Sequence, residues 1–318
     1  MGKLSLRPAT LDDAAFAADV HTAVRPSSPA DPVLLRHYWA HSGANVVAER
    51  FIAERAGRAV GFAWFDHGRW ELVPERVGNI GGELQPAERT PERLEALIAA
   101  MENRAREGGA RILRGRANED DPTYAEVLVA RGYSEDRRSR RWELDLVAER
   151  ERIERMTQDS RARMRDEAVR ILTLAEETDP KKYERIWRMS EEAADDVPTT
   201  YARTPETLAD FMDWFRSPDI CADRFWIAKE GDEIVGVSVL GYPPVRGVVG
   251  THWTATARVV RGRGIARALK CETVTQAAAL GVTRVRTGND AANAPILHIN
   301  EVMGYRRIPG AIHFSKQA

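Results

Sequence analysis

The segment of this sequence best suited to chemistry is a glycine-rich turn in the C-terminal half. Residues 251–257 are rich in β-branched and aromatic side chains, which predicts a strand, and they lead through Arg261-Gly262-Arg263-Gly264 into a helix-forming segment. A helix start presents backbone N–H groups without carbonyl partners at the positive end of the helix dipole. The glycines allow close approach, and the arginines add positive charge. The turn therefore predicts a site for an anion such as a pyrophosphate, although a surface turn with solvated arginines has the same residues.

This turn resembles the coenzyme A-binding signature of the GNAT acetyltransferase superfamily, which is Arg or Gln, two residues, Gly, one residue, then Gly or Ala. Arg261, Gly264 and Ala266 occupy the three defined positions. The resemblance extends through residues 287–305, which are similar to the closing strand, helix and strand of that family. The downstream positions in register are Asn293, Gly304 and Tyr305.

The resemblance implies direct acyl transfer from acetyl-CoA, used as a co-substrate without a metal, to an amine. In that family the strand before the turn carries a bulge and separates from the next strand, and the pantetheine arm inserts between them. Backbone groups of the strand would then bind pantetheine and polarise the thioester carbonyl, while the turn would hold the pyrophosphate. The residues so implied are Thr254, Ala255 and Thr256 on the strand, Arg261, Gly262, Arg263, Gly264, Ile265 and Ala266 in the turn, and Asn293 beside the coenzyme arm.

Proton transfer is the point at which the sequence departs from the family. Attack by a neutral amine requires a base for the ammonium proton and an acid for the leaving thiolate. Many members place an acidic tyrosine five residues before the final aromatic residue, but here that position is Asn300, which can hydrogen-bond a thiolate without protonating it. His252 is the candidate base, because strand alternation places it on the face of Thr254 and Thr256. A purely structural histidine fits the same position, and His298 is a second candidate.

Two acidic residues are candidates for binding the acceptor. Asp195 and Asp196 follow the first helix of the C-terminal half, where this family usually places acceptor-binding residues. Their charges could attract a cationic amine. A solvated helix end stopped by Pro198 explains the same residues equally well.

The second half of the chain repeats the first. The motif around Gly109 recurs 172 positions later at Gly281, and a Gly-Tyr pair follows each at the same spacing. Helix-forming segments, 91–107 and 265–280, precede the two glycines. Because the period is so long, it indicates two copies of one α/β domain. With the resemblance, it predicts an α/β (α+β) fold of two tandem GNAT domains, each a central mixed, mostly antiparallel sheet flanked by helices.

The predicted organisation has three parts. Residues 1–146 form a degenerate GNAT-like domain, residues 168–318 form a GNAT domain with an intact coenzyme loop, and residues 147–167 form a connecting helix. The connecting segment is charged, and its apolar residues form a single stripe, which suits an exposed helix.

The first copy has lost the coenzyme turn. At the 172-residue offset, Thr90 and Glu92 replace the two glycines, and Leu94 replaces Ala266. An acidic side chain would repel a pyrophosphate, and the leucine would crowd it. We therefore predict that the first copy does not bind the coenzyme productively and instead buttresses the second copy or shapes its acceptor cleft.

The composition limits which classes of binding partner are expected. The 47 Lys and Arg nearly balance the 48 Asp and Glu, so neither a nucleic-acid surface nor a polybasic membrane surface is indicated. No run approaches the roughly 18 apolar residues of a membrane span, and the N-terminal segment has no signal-peptide core, so we expect a cytoplasmic protein. The two cysteines, Cys221 and Cys271, lack metal-ligand spacing, and we expect no metal.

Together these features predict an N-acetyltransferase with a tandem layout similar to that of mycothiol synthase. It would transfer an acetyl group from acetyl-CoA to a primary amine of a small molecule within a ternary complex. Two alternatives stay open, namely acetylation of a protein or peptide amine, which requires an open groove, and a non-catalytic acyl-CoA-binding module. We expect either a monomer whose two copies form a pseudo-dimer or a homodimer.

Overall fold

The computed structural model of the chain describes residues 3–318, and that part contains twelve strands and nine α-helices. The strands are β1 (Ser5–Pro8), β2 (Val46–Arg55), β3 (Arg58–Gly68), β4 (Val77–Leu84), β5 (Ile112–Asn118), β6 (Ser134–Asp145), β7 (Val169–Thr173), β8 (Phe225–Glu230), β9 (Glu233–Gly241), β10 (Gly250–Thr256), β11 (Arg284–Asp290) and β12 (Arg306–Gln317). The helices are α1 (Ala14–Val24), α2 (Pro32–Ala40), α3 (Pro91–Glu107), α4 (Pro122–Ala130), α5 (Arg150–Asp166), α6 (Lys182–Ala194), α7 (Leu208–Phe215), α8 (Ile265–Ala279) and α9 (Ala294–Met303).

All twelve strands belong to one continuous sheet. Their order is β1-β2-β3-β4-β5-β12-β6-β11-β10-β9-β8-β7. Neighbouring strands are antiparallel except for two parallel pairs, β4 with β5 and β10 with β11. These two pairs occupy equivalent places in the two copies. The predicted mixed, mostly antiparallel sheet flanked by helices is confirmed.

The last strand of each half lies in the other half of the sheet. β6 pairs with β11 along residues 139–145, and β12 pairs with β5 along residues 311–317. β6 and β12 also pair with each other at the centre. A strand at a sheet edge presents unpaired backbone groups, and this exchange covers the edge that each copy would otherwise expose. The predicted domain limits, 1–146 and 168–318, therefore divide the sequence, but the sheet itself continues from one half to the other.

Helix α5 lies within the segment predicted to connect the two copies and packs against α8. Its buried stripe includes Ile153 and Met164. Arg161 of α5 donates two hydrogen bonds of 2.7 Å to the carboxylate of Glu272 on α8. Such paired contacts fix both position and orientation. The connecting helix therefore holds the helix that begins at the glycine-rich turn.

Asp31 joins the two halves at the start of α2. One carboxylate oxygen accepts the backbone N–H groups of Val33 and Leu34. The other accepts those of Val245 and Arg246 in the C-terminal half, at 2.7 and 2.9 Å. Burial opposes ionisation, but these N–H groups lower the pKa of Asp31. A single charged side chain thus caps a helix of one copy and a loop of the other.

Candidate active site

The glycine-rich turn has the backbone geometry that the sequence predicts. Gly262 and Gly264 have φ angles of 79° and 87°, in the left-handed region that favours glycine. Gly264 precedes α8 and has no side chain to cap it. Within residues 3–318, the first N–H of this helix start with a backbone carbonyl partner is that of Ala268, which donates to Gly264. The preceding N–H groups have no backbone partner in this part of the chain, and such groups at a helix start suit an anion.

The arginines of the turn are held by carboxylates. Arg261 lies 2.7 Å from Asp196, which also pairs with Arg258 at 2.8 Å. Arg263 pairs with Glu167 at 2.8 Å and with Glu230 at 3.0 Å. These exposed pairs cost little to break, so an anion at the turn can share or displace the carboxylates.

Strands β10 and β11 separate immediately after they meet. They pair only at Gly250 and Arg286 in the described part of the chain. The β10 register against β9 shifts between Thr251 and Trp253, so His252 is the extra residue of a β-bulge. The predicted bulge and separation are confirmed. Beyond Gly250, the edge of β10 that faces β11 offers backbone groups to a ligand.

The three predicted pantetheine contacts lie along this edge. Ala255 packs into the core on the side of α6 and α7. Thr254 points to the opposite side, where its hydroxyl lies 2.8 Å from that of Ser238, and Thr256 lies on that side as well. Asn293 precedes α9, and its side chain makes no hydrogen bond within residues 3–318. Their roles toward a coenzyme stay predictions.

Asn300, the residue at the position of the family's tyrosine, lies in α9 and is fully buried. Its amide donates a 2.8 Å hydrogen bond to Asn289, while its own oxygen has no partner in the described part of the chain. Because its side chain is fully buried, a direct contact with a thiolate requires the cleft to open toward it. His298 is exposed on the same helix, outside the pocket described next.

A cavity of about 240 Å³ opens between α6, α7 and the bulge of β10. It is lined by Ser190, Glu191, Ala194, Arg203, Glu206, Phe211, Trp214, His252 and Trp253. Its walls combine aromatic rings with carboxylates. We refer to this cavity as the acceptor pocket.

His252 faces the acceptor pocket, on the opposite side of the sheet from Thr254. The prediction that it shares the face of Thr254 and Thr256 is wrong, because the bulge inserts one residue and reverses the alternation. Its Nε2 lies 2.6 Å from the carboxylate of Asp219. Burial opposes ionisation of Asp219, but the bonds from His252 and Ser217 lower its pKa. Because that carboxylate accepts, Nε2 carries the proton and Nδ1 of a neutral ring is free to accept one.

Glu206 is a pocket residue that sequence reasoning missed. Burial, with the negative charges of Glu191 and Asp210, raises its pKa to about 7, against the opposing effect of Arg203. It lies in the loop before α7, in a segment without a recognisable motif. Only the assembled neighbours reveal it, since perturbed carboxyl groups in clefts mark functional sites.

Asp195 and Asp196 lie at the end of α6, as expected, but both are paired with arginines. Asp195 lies 3.0 Å from Arg203, and Asp196 holds Arg258 and Arg261. The pairing lowers the pKa of Asp196 to about 2. The acidic groups that line the pocket are instead Glu191 and Glu206. A role for the two aspartates in substrate binding stays a prediction.

The first copy closes its own turn with a side-chain cap. Helices α3 and α8 end 172 positions apart, and the short helical turns before them, at 86–88 and 258–260, are also 172 positions apart. The predicted offset therefore holds on both sides of the turn, and α3 begins two residues earlier than the offset from α8 would place it. Thr90 accepts the N–H of Arg93, and Leu94 is buried in the core instead of crowding a ligand. The N–H groups exposed at α8 are partly satisfied here.

The first copy also supports the acceptor side of the second. The N–H of Ala44 donates to Asp210 at 2.7 Å, and the side chain of Asn45 donates to the carbonyl of Pro205 at 3.0 Å. Pro205 immediately precedes Glu206. These contacts fit the prediction that the first copy buttresses the second.

The described residues also bear on metal ligands, thiols and membrane-spanning helices. No group of three or more His, Cys, Asp or Glu side chains is placed to hold a metal within residues 3–318. Cys271 is buried and Cys221 half-buried, both as free thiols. None of the helices in this part is long and apolar enough to cross a membrane.

Comparison with known proteins agrees with this geometry. Residues 186–305 match the model of the acetyltransferase (GNAT) family. That segment runs from within α6 to the residue before β12, and it includes the turn, the bulge and every residue that lines the acceptor pocket. A search of curated proteins finds no significant match.

Solved structures share the fold over nearly the whole chain. A tandem GNAT protein from the clavulanic acid biosynthesis pathway has 15% identity and a TM-score of 0.75, with 99% of this chain and 98% of that one covered. A GCN5-related N-acetyltransferase from Sphaerobacter thermophilus has 16% identity and a TM-score of 0.66, covering 99% and 95%. The glucosamine N-acetyltransferase region of a fungal multi-domain β-N-acetylglucosaminidase has 14% identity and a TM-score of 0.68, covering 99% and 38%. At these identities the likeness concerns the fold, which is a tandem GNAT fold.

Proposed function

Residues 186–305 match the model of the acetyltransferase (GNAT) family, and on that premise we propose that the chain transfers an acetyl group from acetyl-CoA to a primary amine of a small molecule. The observation that carries the proposal is the uncapped turn at Gly264, which stands at the open side of the β10–β11 cleft. The acceptor pocket lies on the other side of the bulge. The turn, the free edge of β10 and the pocket therefore all adjoin one strand.

The coenzyme fits the groups of the turn and of this edge. The backbone N–H groups before Ala268 would hold the pyrophosphate, with Arg261 released from Asp196 to join them. The free edge of β10 would pair with the amides of pantetheine as a neighbouring strand does. The side chain of Asn293, which makes no hydrogen bond within residues 3–318, would contact the arm.

Acetyl-CoA supplies a thioester carbonyl that an amine can attack. Backbone N–H groups of β10 near Ala255 would hydrogen-bond the carbonyl oxygen as it gains negative charge. In the balanced reaction a C–N bond forms, the C–S bond breaks, the ammonium proton passes to a base and the thiolate takes up a proton. Within the pocket, this chain has to supply the base.

We assign the base to Nδ1 of His252. Asp219 holds the opposite nitrogen at 2.6 Å, which fixes the tautomer and stabilises the imidazolium once the proton arrives. Glu206 gives the pocket a second proton acceptor that is half-ionised near neutral pH. In its ionised form it also attracts the cationic amine.

The size of the pocket favours a small acceptor. About 240 Å³ is below the usual size of a ligand site, and aromatic rings form part of its walls. A protein or peptide amine needs room for the chain on both sides of the acetylated group. We therefore favour a small-molecule acceptor over a protein or peptide.

The test is thiol release from acetyl-CoA with a panel of small amines, polyamines and peptides. We expect amine-dependent release with a small amine and an acetylated product by mass spectrometry. If only hydrolysis occurs with every amine, and His252→Ala does not change it, the chain is an acyl-CoA-binding module and the proposal fails.

A further inference from the structure

A group of arginines lies on one face of the central strands, away from the acceptor pocket. Arg114 and Arg116 are on β5, Arg137 and Arg141 are on β6, and Arg25 ends α1. Alternate residues of a strand share a face. The other face of β5, which includes Leu113 and Ala117, packs into the core beneath α3 and α4. We call the five residues the arginine cluster; its members are Arg25, Arg114, Arg116, Arg137 and Arg141.

Strand register places the cluster at the junction of the two copies. His313 of β12 stands directly between Arg116 of β5 and Arg137 of β6. The same histidine accepts or donates a 2.8 Å hydrogen bond with Ser139 of β6. The exchanged strand therefore brings arginines of β5 and β6 onto one surface.

The arginines at the centre of the cluster have no direct partner in the described part of the chain, and the carboxylates of Asp66, Asp136, Asp120 and Glu119 act on Arg114 and Arg141 only at longer range. Arg114, Arg116 and Arg141 make no side-chain hydrogen bond or ion pair with any of residues 3–318. Arg25 is held by Glu83, and Arg137 by the carbonyl of Pro198 and by Asp290. Guanidinium groups are ordinarily paired when protein surrounds them.

Arg116 is the focus of this repulsion. Desolvation by the surrounding protein and the charges of Arg141, Arg25, Arg114 and Arg137 lower its pKa to about 10, although part of the side chain is exposed to solvent. Burial and the positive charges of the nearby arginines also lower the pKa of His313, to about 3. A solvent-accessible concentration of positive charge of this kind attracts anions.

We propose that the arginine cluster is a binding site for a small, multiply charged anion, recognised through phosphate or carboxylate oxygens at Arg116 and Arg141. Planar guanidinium groups suit such oxygens because they donate two parallel hydrogen bonds. The ligand would come from the coenzyme's own phosphates or from a separate anionic metabolite. The site is distinct from the turn at Gly264, since it lies on β5 and β6.

Pyrophosphate binding, measured by calorimetry on the full chain, tests the proposal. Because pyrophosphate also suits the coenzyme turn, the experiment uses the Gly264→Glu background, in which that turn is blocked. We expect one pyrophosphate per chain there, and at least a tenfold loss of affinity on adding Arg116→Ala and Arg141→Ala. Arg155→Ala, an exposed arginine of α5, is the charge-matched control and should leave binding unchanged.

Two further readouts separate the outcomes. Without anion, Arg116→Met should raise Tm by about 2–4 °C, because it relieves repulsion; a fall in Tm would show a structural role. Coenzyme A affinity in the otherwise unaltered chain should not change with the Arg116 and Arg141 variants if the anion is a separate metabolite. If coenzyme A affinity falls in parallel, its phosphates are the ligand. Equal loss in the Arg155 control, or no pyrophosphate binding in the Gly264→Glu protein, overturns the proposal.

Discussion

Replacement of Gly264 by glutamate should remove most of the affinity for the coenzyme. At φ 87° a residue with a Cβ costs about 1–2 kcal/mol relative to glycine. The added carboxylate repels a pyrophosphate by about 1 kcal/mol at roughly 4 Å in a water-like surrounding. Together these give about 2–3 kcal/mol, which is a roughly 30- to 150-fold increase in the Kd for coenzyme A if the turn relaxes when free.

Gly264→Ala separates the two contributions. A Cβ at this position meets only the guanidinium of Arg163, at 3.4 Å, which can move aside. The alanine variant should therefore show the backbone contribution alone, a roughly 5- to 30-fold weaker Kd. If the turn keeps its conformation without ligand, the cost appears instead as a lower Tm with less change in Kd.

The assay is calorimetric titration with coenzyme A, accompanied by thermal unfolding of each variant. Glu92→Gly, at the start of the equivalent helix α3, is the matched control and should leave coenzyme affinity unchanged. Full coenzyme affinity in a folded Gly264→Glu protein would refute the assignment of the turn. Weaker binding in the Glu92→Gly protein would show that the first copy also contributes.

Three more predictions follow from the side chains around the site. Asp219→Asn should lower kcat roughly 10- to 100-fold with little change in the acetyl-CoA KM, because His252 loses the acceptor that fixes its tautomer; an unchanged kcat would exclude His252 as base. The pKa of Glu206, about 7, exceeds its ordinary 4.5, so the folded state retains a proton that the unfolded state releases, and stability falls as pH rises from 4.5 to 7. Glu206→Gln should therefore raise the free energy of unfolding at pH 8 by on the order of 1–3 kcal/mol. Urea titrations should show no difference at pH 4. Burial lowers the pKa of Lys270 to about 8, and its ammonium lies over the ring of Tyr305. Lys270→Met should therefore stabilise the protein by about 1–3 kcal/mol at pH 7 and progressively less toward pH 10. A less stable variant at pH 7 would contradict this account.

Local features of the site could be predicted because they depend on nearby residues. The bounds of α3 match the predicted segment 91–107, and both glycines of the turn adopt the positive φ that their type allows. Repetition of the same pattern 172 positions apart indicated two copies of one domain. In each case the determining interactions lie within a few residues or within one repeated unit.

Other features depend on residues that are distant in sequence. The family resemblance predicted a bulge in β10 but not its position at His252, and that position turns the histidine to the face of the sheet opposite the one that strand alternation predicted. The pKa of Glu206 reflects Glu191 and Asp210, which the folding of α6 and α7 brings to one loop. The arginine cluster exists because β5, β6 and β12 meet in one sheet.

By itself, the sequence determined the tandem α/β architecture, the strand-turn-helix around Gly264 and the loss of that turn in the first copy. Only the tertiary structure decided that the last strands are exchanged, that His252 faces Asp219 in the acceptor pocket, and that unpaired arginines meet at the junction. The physical reason is that backbone conformation is set largely by local steric and hydrogen-bonding preferences. Strand partners, burial and the electrostatic surroundings of a side chain are set by segments far away in the chain.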